Sequence, residues 1–243
     1  MPKISDYGLL LTVIGLFLTA IALGLSVWQT LAARTQARDL DKVRRSLTTR
    51  FIGEFPDYLP EIVALVKRAR KEVIIFCDFP TYGYFSDHSN WLNYRHAIDD
   101  KLNQDVKVSL TCPNKRRRLE FNKEQFAKEG EKWEAWRQEK KTIERLRMIL
   151  PSHTEIADLT RDGFLKILEN ADQKMLKETF ARAEKHEIDI FMPTFFWIAD
   201  SNEAIFTFST YSEDASEYGF YTLDQKLISA LKNIRERYHR AKR

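Results

Sequence analysis

Val73-Ile-Ile-Phe-Cys77 and Val106-Lys-Val-Ser-Leu-Thr111 are the two stretches on which the fold turns. The first is a short apolar run of β-branched and aromatic residues, the pattern of a strand buried on both faces. The second has the same character and is closed by Pro113. Between them lies a loop over 79–88, and then Trp91, Tyr94, Ile98 and Leu102 recur at helical spacing. A strand, a helix and a strand in so short a span form a βαβ unit, whose two strands are parallel neighbours. The expected fold class is therefore α/β, a mixed sheet flanked by helices.

Leu59, Ile62, Val63 and Val66 follow the break at Pro56 and predict an amphipathic helix over 57–70. Downstream, residues 113–186 are charged and helical in pattern, with Trp133, Trp136, Ile143, Leu146 and Leu150 on one face. They read as a helical insertion in which both tryptophans are core. Strands are then expected at Ile188–Met192, Phe195–Ala199 and Ala204–Phe208, with a further short one over 217–222. Asp200-Ser-Asn-Glu203 supplies a polar turn, with Asn202 suited to the positive φ of a hairpin. Thr222 and Gln225 stand in capping-box spacing ahead of a last helix, whose stripe is Leu223, Leu227, Leu231, Ile234 and Tyr238.

No charged residue occurs from Tyr7 to Ala33, a run long enough to span a hydrocarbon core. It exceeds the apolar region of a cleaved signal peptide. Arg34, Arg38, Lys42, Arg44 and Arg45 follow directly, so the positive-inside rule places the C-terminal domain in the cytoplasm. Residues 1–33 are read as a single-pass anchor in the cell (inner) membrane. Residues 34–55 are a basic connector whose first part, 34–50, continues the helix, and 56–243 are the soluble domain. Membrane lipid is the expected partner of residues 7–45.

The formal charge of +4 is concentrated at the start: residues 1–55 carry seven Lys/Arg against four Asp/Glu, leaving 32 against 31 in the rest. A nearly neutral domain is not built to grip a nucleic-acid backbone. Cys77 and Cys112 are far apart and form no zinc-type or C-x-x-C spacing, so neither a metal, a disulfide framework nor a cofactor is expected.

In a parallel sheet, ligands bind beyond the carboxyl ends of the strands. Asp78, Tyr82 and Cys77 end the first strand, and Cys112, Asn114, Lys115, Arg116, Arg117 and Arg118 end the second. Facing one another, they would suit a phosphate-bearing ligand, because the arginine fork matches a phosphate. The alternative is two core thiols and an arginine run that opens a solvated helix. His88 sits in Asp87-His-Ser-Asn90, where loop or cap duty is the simpler role.

Met192-Pro-Thr-Phe-Phe-Trp-Ile-Ala-Asp200-Ser-Asn-Glu-Ala-Ile-Phe206 resembles the signature hairpin of the phospholipase D superfamily, in which H-x-K stands four residues before an Asp. Laid on that pattern through Asp200, Pro193 takes the place of the nucleophilic His and Phe195 that of the Lys. The downstream Gly, Ser and Asn fall on Thr207, Phe208 and Thr210. The resemblance covers roughly 56–243, extends to bacterial phospholipase D-like proteins, and implies a pairing of two copies as a homodimer. The family chemistry needs an imidazole nucleophile, a second His and cations on the phosphate, and Pro193 and Phe195 supply none of these. The expected function is thus a membrane-anchored, non-catalytic phospholipase D-like domain that binds a ligand or partner. Two other readings stay open: a phosphodiesterase, phospholipase or nuclease with a rearranged site drawn from Asp78, His88, Arg116 and Asp200, and an adaptor that docks another protein on the insertion.

Overall fold

The computed structural model describes residues 48–190, 192–208 and 217–240. The uncharged run and the connector through residue 47 lie outside the described residues. Among those described, no helix is long and apolar enough to cross a membrane. Thr49–Arg243 form one compact unit.

Seven strands make one sheet: β1 (Thr49–Glu54), β2 (Glu72–Phe76), β3 (Lys107–Pro113), β4 (Glu184–Ile188), β5 (Thr194–Ala199), β6 (Glu203–Phe208) and β7 (Tyr218–Thr222), in spatial order β1-β7-β6-β5-β2-β3-β4. β2, β3 and β4 run parallel, as the βαβ reading expects for the first two. β5, β6, β7 and β1 are antiparallel, and β2 pairs antiparallel with β5 at the seam.

The helices are α1 (Leu59–Arg68), α2 (His88–Asn103), α3 (Lys115–Gln125), α4 (Glu131–Gln138), α5 (Lys140–Ile149), α6 (Arg161–Lys177) and α7 (Gln225–Arg240). α1 opens on Pro60, whose missing N–H costs nothing in a first turn, and buries Leu59, Ile62, Val63, Leu65 and Val66. The Asp87 side chain caps α2 by accepting from the Asn90 amide at 3.1 Å. Successive strand residues point to opposite faces. Trp197 donates to the Tyr94 hydroxyl of α2 at 3.0 Å on one face, while Phe76 meets Tyr238 of α7 at 5.5 Å on the other. Helices α3 to α6 hold a second core of Trp133, Leu146, Ile149, Leu159, Phe164 and Leu168, and Trp133 donates to the Leu159 carbonyl at 3.2 Å. Both tryptophans are packed in the insertion.

Four expectations need correction. Residues 49–54, placed at the end of the connector, are the edge strand β1, which pairs with β7 and bulges between Phe51 and Gly53. β4 lies at 184–188 rather than 188–192. Its sequence Glu-Lys-His-Glu-Ile is that of a solvated edge, with only Ile188 buried, and so it lacks an apolar run. In the β5–β6 turn the positive φ angles belong to Asp200 (51°) and Ser201 (60°), not Asn202. The cap of α7 is Asp224, whose carboxylate accepts from the amides of Lys226 and Leu227, and Leu223 is exposed rather than part of the buried stripe.

The boundary has a measurable consequence. A chain beginning at residue 56 lacks β1 and leaves the β7 edge unpaired, so it should unfold at lower denaturant than one beginning at 48 and aggregate sooner. Equal midpoints in urea would show that β1 adds nothing to the sheet.

Candidate functional site

Antiparallel pairing of β5 with β2 gives the sheet two distinct poles. Phe76 stands opposite Phe196 and Val73 opposite Ala199. The start of β5 therefore lies beside the end of β2, and Asp200 lies a strand's length away, about 15–20 Å. The candidates Asp78 and Asp200 cannot meet in one site.

Asp200 has a different task. Its carboxylate accepts from the backbone amides of Arg70 (2.8 Å), Lys71 (2.7 Å) and Glu72 (2.9 Å), holding the link between α1 and β2. Burial alone would push this carboxyl up, but the three amides prevail and hold it below the usual carboxylate range.

At the other pole, one row crosses the sheet on the face covered by α1 and α2. Gly219, Thr207 and Phe195 are paired in register, and Cys112 pairs with Glu187. Cys77 continues β2 between Phe195 and Cys112, and its amide donates to the Thr111 carbonyl at 3.1 Å. Phe195, where the resemblance places Lys, is 4% exposed. Its ring lies 5.9 Å from that of Tyr82, which also meets Trp197 at 4.8 Å and Phe55 at 5.1 Å. Aromatic packing surrounds Phe195 on this face.

On one side of Phe195 is a carboxylate cluster. The Tyr58 and Tyr82 hydroxyls both stand 2.5 Å from Glu217 Oε1 and touch one another, and with one proton each they supply two hydrogen bonds among these three contacts. Burial raises the Glu217 carboxyl, against the pull of its hydroxyl donors, and burial together with the Glu217 charge raises both phenols. Both phenols remain protonated at neutral pH. Gly219 makes this cluster possible: a Cβ there would stand 2.7 Å from the Tyr58 ring.

On the other side, Arg118 is buried. It donates to Asp172 at 2.6 Å, to Glu187 at 3.1 Å and to the Pro113 carbonyl, and its Nη1 lies 3.6 Å from Cys112 Sγ. Burial pushes the Asp172 carboxyl up to about 6, against Arg118. Burial likewise pushes the Cys112 thiol up to about 12 and the Cys77 thiol well above its ordinary value. These thiols are core groups and not nucleophiles. Asp78 is buried beside them.

The remaining cations of the proposed anion cleft face outward. Arg116 donates to both oxygens of Asp189 at 2.9 and 3.0 Å, Arg117 reaches the same carboxylate at 3.2 Å, and Asn114 donates to it at 3.0 Å while capping α3. Lys115 pairs with Glu169 at 2.7 Å. Of the cations, only Arg118 turns into the pole, and two carboxylates meet it there. His88 is the first residue of α2. Its Nδ1 lies 3.3 Å from the Tyr84 carbonyl, its ring stacks on Trp91 at 5.0 Å, and burial lowers its pKa. Thr210, the family's Asn position, lies outside the described residues. No metal-binding group of His, Cys, Asp and Glu occurs among the described residues.

Tyr58, Glu217, Asp172 and Glu187 escaped the sequence reading. Glu217 is 159 residues from Tyr58 and 135 from Tyr82, so no local spacing could connect them. The one available signal was the parity of β7, which aims Glu217 at the same face as Gly219.

No protein-family model matches the chain, and a search of characterised proteins also found no match. Among solved structures, the chain is similar to TrmBL2, an archaeal chromatin protein described as showing a novel mode of DNA binding, at 13% identity and a TM-score of 0.42. That likeness covers 88% of this chain and 64% of TrmBL2, so this chain spans less than two thirds of its length. It is similar to Nuc, a phospholipase D family member from Salmonella typhimurium, at 9% identity and a TM-score of 0.43, covering 79% of this chain and 93% of Nuc. It is also similar to NucT from Helicobacter pylori, at 11% identity and a TM-score of 0.38, covering 79% and 95%. All three scores lie below 0.5, and the fold stands on the strand order given above.

Two substitutions separate the poles. Asp200→Asn keeps the turn but loses the charge on three amides, and should cost about 1–2 kcal/mol at pH 7 after allowance for partial exposure. Because the folded-state pKa is depressed, the contribution is present above the unfolded carboxylate range and is lost as pH falls through the folded value. The gap between wild type and variant should therefore close in acid, as followed by urea midpoints against pH. Gly219→Ala drives a methyl into Tyr58 and should cost about 1–3 kcal/mol at every pH.

Proposed function

We propose that this protein is a membrane-anchored phospholipase D-like domain, facing the cytoplasm, that has no hydrolytic activity and works as a homodimer by binding a ligand or partner. The supporting observation is the row at the pole away from Asp200: Phe195, which the resemblance lays on the family's Lys, is buried there, and Pro193, which it lays on the His, has no nucleophilic group. The neighbouring groups fit the same reading. The thiols are protonated, His88 is held in an aromatic pocket, and Arg118 is neutralised by the chain's own carboxylates. A phosphate-bearing ligand at Asn114, Arg116 and Arg117 would have to displace Asp189, which favours a protein partner over a small anion.

The purified full-length chain should release no product from bis(p-nitrophenyl) phosphate, phosphatidylcholine or single-stranded DNA. It should also form no acid-precipitable phosphoenzyme. Turnover abolished by Asp78→Asn or His88→Ala would instead establish a rearranged active site. The anchor is tested separately: a C-terminal reporter active only outside the cytoplasm should stay silent, and a strong signal from it would reverse the orientation.

A further inference from the structure

α7 covers only part of its face of the sheet. It buries Ile228 and Leu231, brings Tyr238 onto Phe76, and ends with His239 Nε2 2.9 Å from Thr111 Oγ1 and its ring stacked at 3.9 Å on His186 of β4. The helix thus runs toward β3 and β4, away from β7 and β1. At the margin of α7 and beyond it, five rings from three adjacent strands form one connected group, in which Phe206 is buried. Phe51 lies 5.8 Å from Phe220 and 6.1 Å from Tyr218, Phe206 lies 5.4 Å from Phe220 and 5.7 Å from Phe208, and Phe208 lies 6.1 Å from Phe220. Phe51 and Phe208 are each 54% exposed and Tyr218 is 43% exposed. Among the described residues, the other large exposed apolar side chains are Leu92, Met148, Ile190 and Leu223, none of them within β1, β6 or β7. Single exposed apolar residues are ordinary, whereas a contiguous aromatic patch marks a contact surface.

The sequence indicates the occupant. The uncharged run ends at Ala33, and β1 begins at Thr49, with only residues 34–48 between. Fully extended, that link reaches about 50 Å at most, and five Lys/Arg of the connector sit within its first twelve residues. A run held in a bilayer therefore keeps the β1 edge near an anionic lipid surface. Phenyl and phenol rings favour the boundary between headgroups and acyl chains. We infer that the Phe51–Phe208–Tyr218–Phe220 face lies on the lipid interface and fixes the orientation of the domain on the membrane. This rests on the anchoring proposed above.

The test uses the full-length chain in vesicles of phosphatidylcholine and phosphatidylserine. Cys77 and Cys112 are buried, so a polarity-sensitive thiol probe can be directed to Phe51→Cys, Phe208→Cys or Tyr218→Cys, with Met148→Cys on the insertion as the control. At the three patch positions the emission should shift to the blue. Quenching by a lipid-borne nitroxide should be several-fold stronger there than at position 148, and quenching by iodide several-fold weaker. Vesicle flotation with patch probes as open to iodide as the control overturns the inference and leaves the anchor standing. Failure to float removes the anchor and the inference together. Dry probes in detergent micelles, with excimers from a pyrene at position 51, would assign the patch to a second copy and also overturn it.

Discussion

The seam between β2 and β5 is the constraint on which the rest of this structure depends. It joins a parallel half, β2-β3-β4, to an antiparallel half, β5-β6-β7-β1, through only four paired positions from Val73↔Ala199 to Phe76↔Phe196. A slip of β5 by one residue against β2 would turn Phe196 away from Phe76 and α7 and present it to α1 and α2. The Asp200 carboxylate opposes such a slip, because it grips the three amides that lead into β2. Ser201 and Lys232 add to the same corner, both bonding Glu72 Oε1. The place of Asp200 is thus accounted for by backbone geometry.

At the opposite pole, the ends of the strands are packed as core. Phe195 stands between two polar clusters: two phenols share one carboxylate, and one guanidinium meets two. Taking such charges out of water is costly unless they are paired and hydrogen-bonded. Each pairing also spans distant segments. Arg118 ties α3 to α6 and β4, which fastens the helical insertion to the sheet, while Glu217 ties β7 to the start of α1.

Elements with a buried face were legible in the sequence, and elements without one were not. β2 and β3 were found because their residues are buried in runs; α1 and α2 because burial on one face leaves a helical period. β1 and β4 were misplaced because they are the two edges, where one flank is water and charged residues are favoured. The cap of α7 was displaced by two residues, since Thr222 and Asp224 both carry suitable oxygens and only the backbone decides between them. Strand order alone set Asp78, Tyr82 and Arg118 at one pole of the sheet. What Tyr82 and Arg118 bond was hidden, because Glu217, Asp172 and Glu187 come from parts of the chain that only the completed fold brings near.

The pairing of β1 with β7 bears on how the domain is made. Thr49 and Thr222, whose hydroxyls lie 2.7 Å apart, are separated by 173 residues, so the first strand waits for nearly the last before it has a neighbour. During synthesis the βαβ unit and the insertion can organise early from local contacts. β1, by contrast, stays an unpaired strand carrying Phe51 until β7 has left the ribosome. Gly53, where the finished pairing bulges, serves the nascent chain as well, since a glycine inside a strand weakens its pairing with another molecule while it waits.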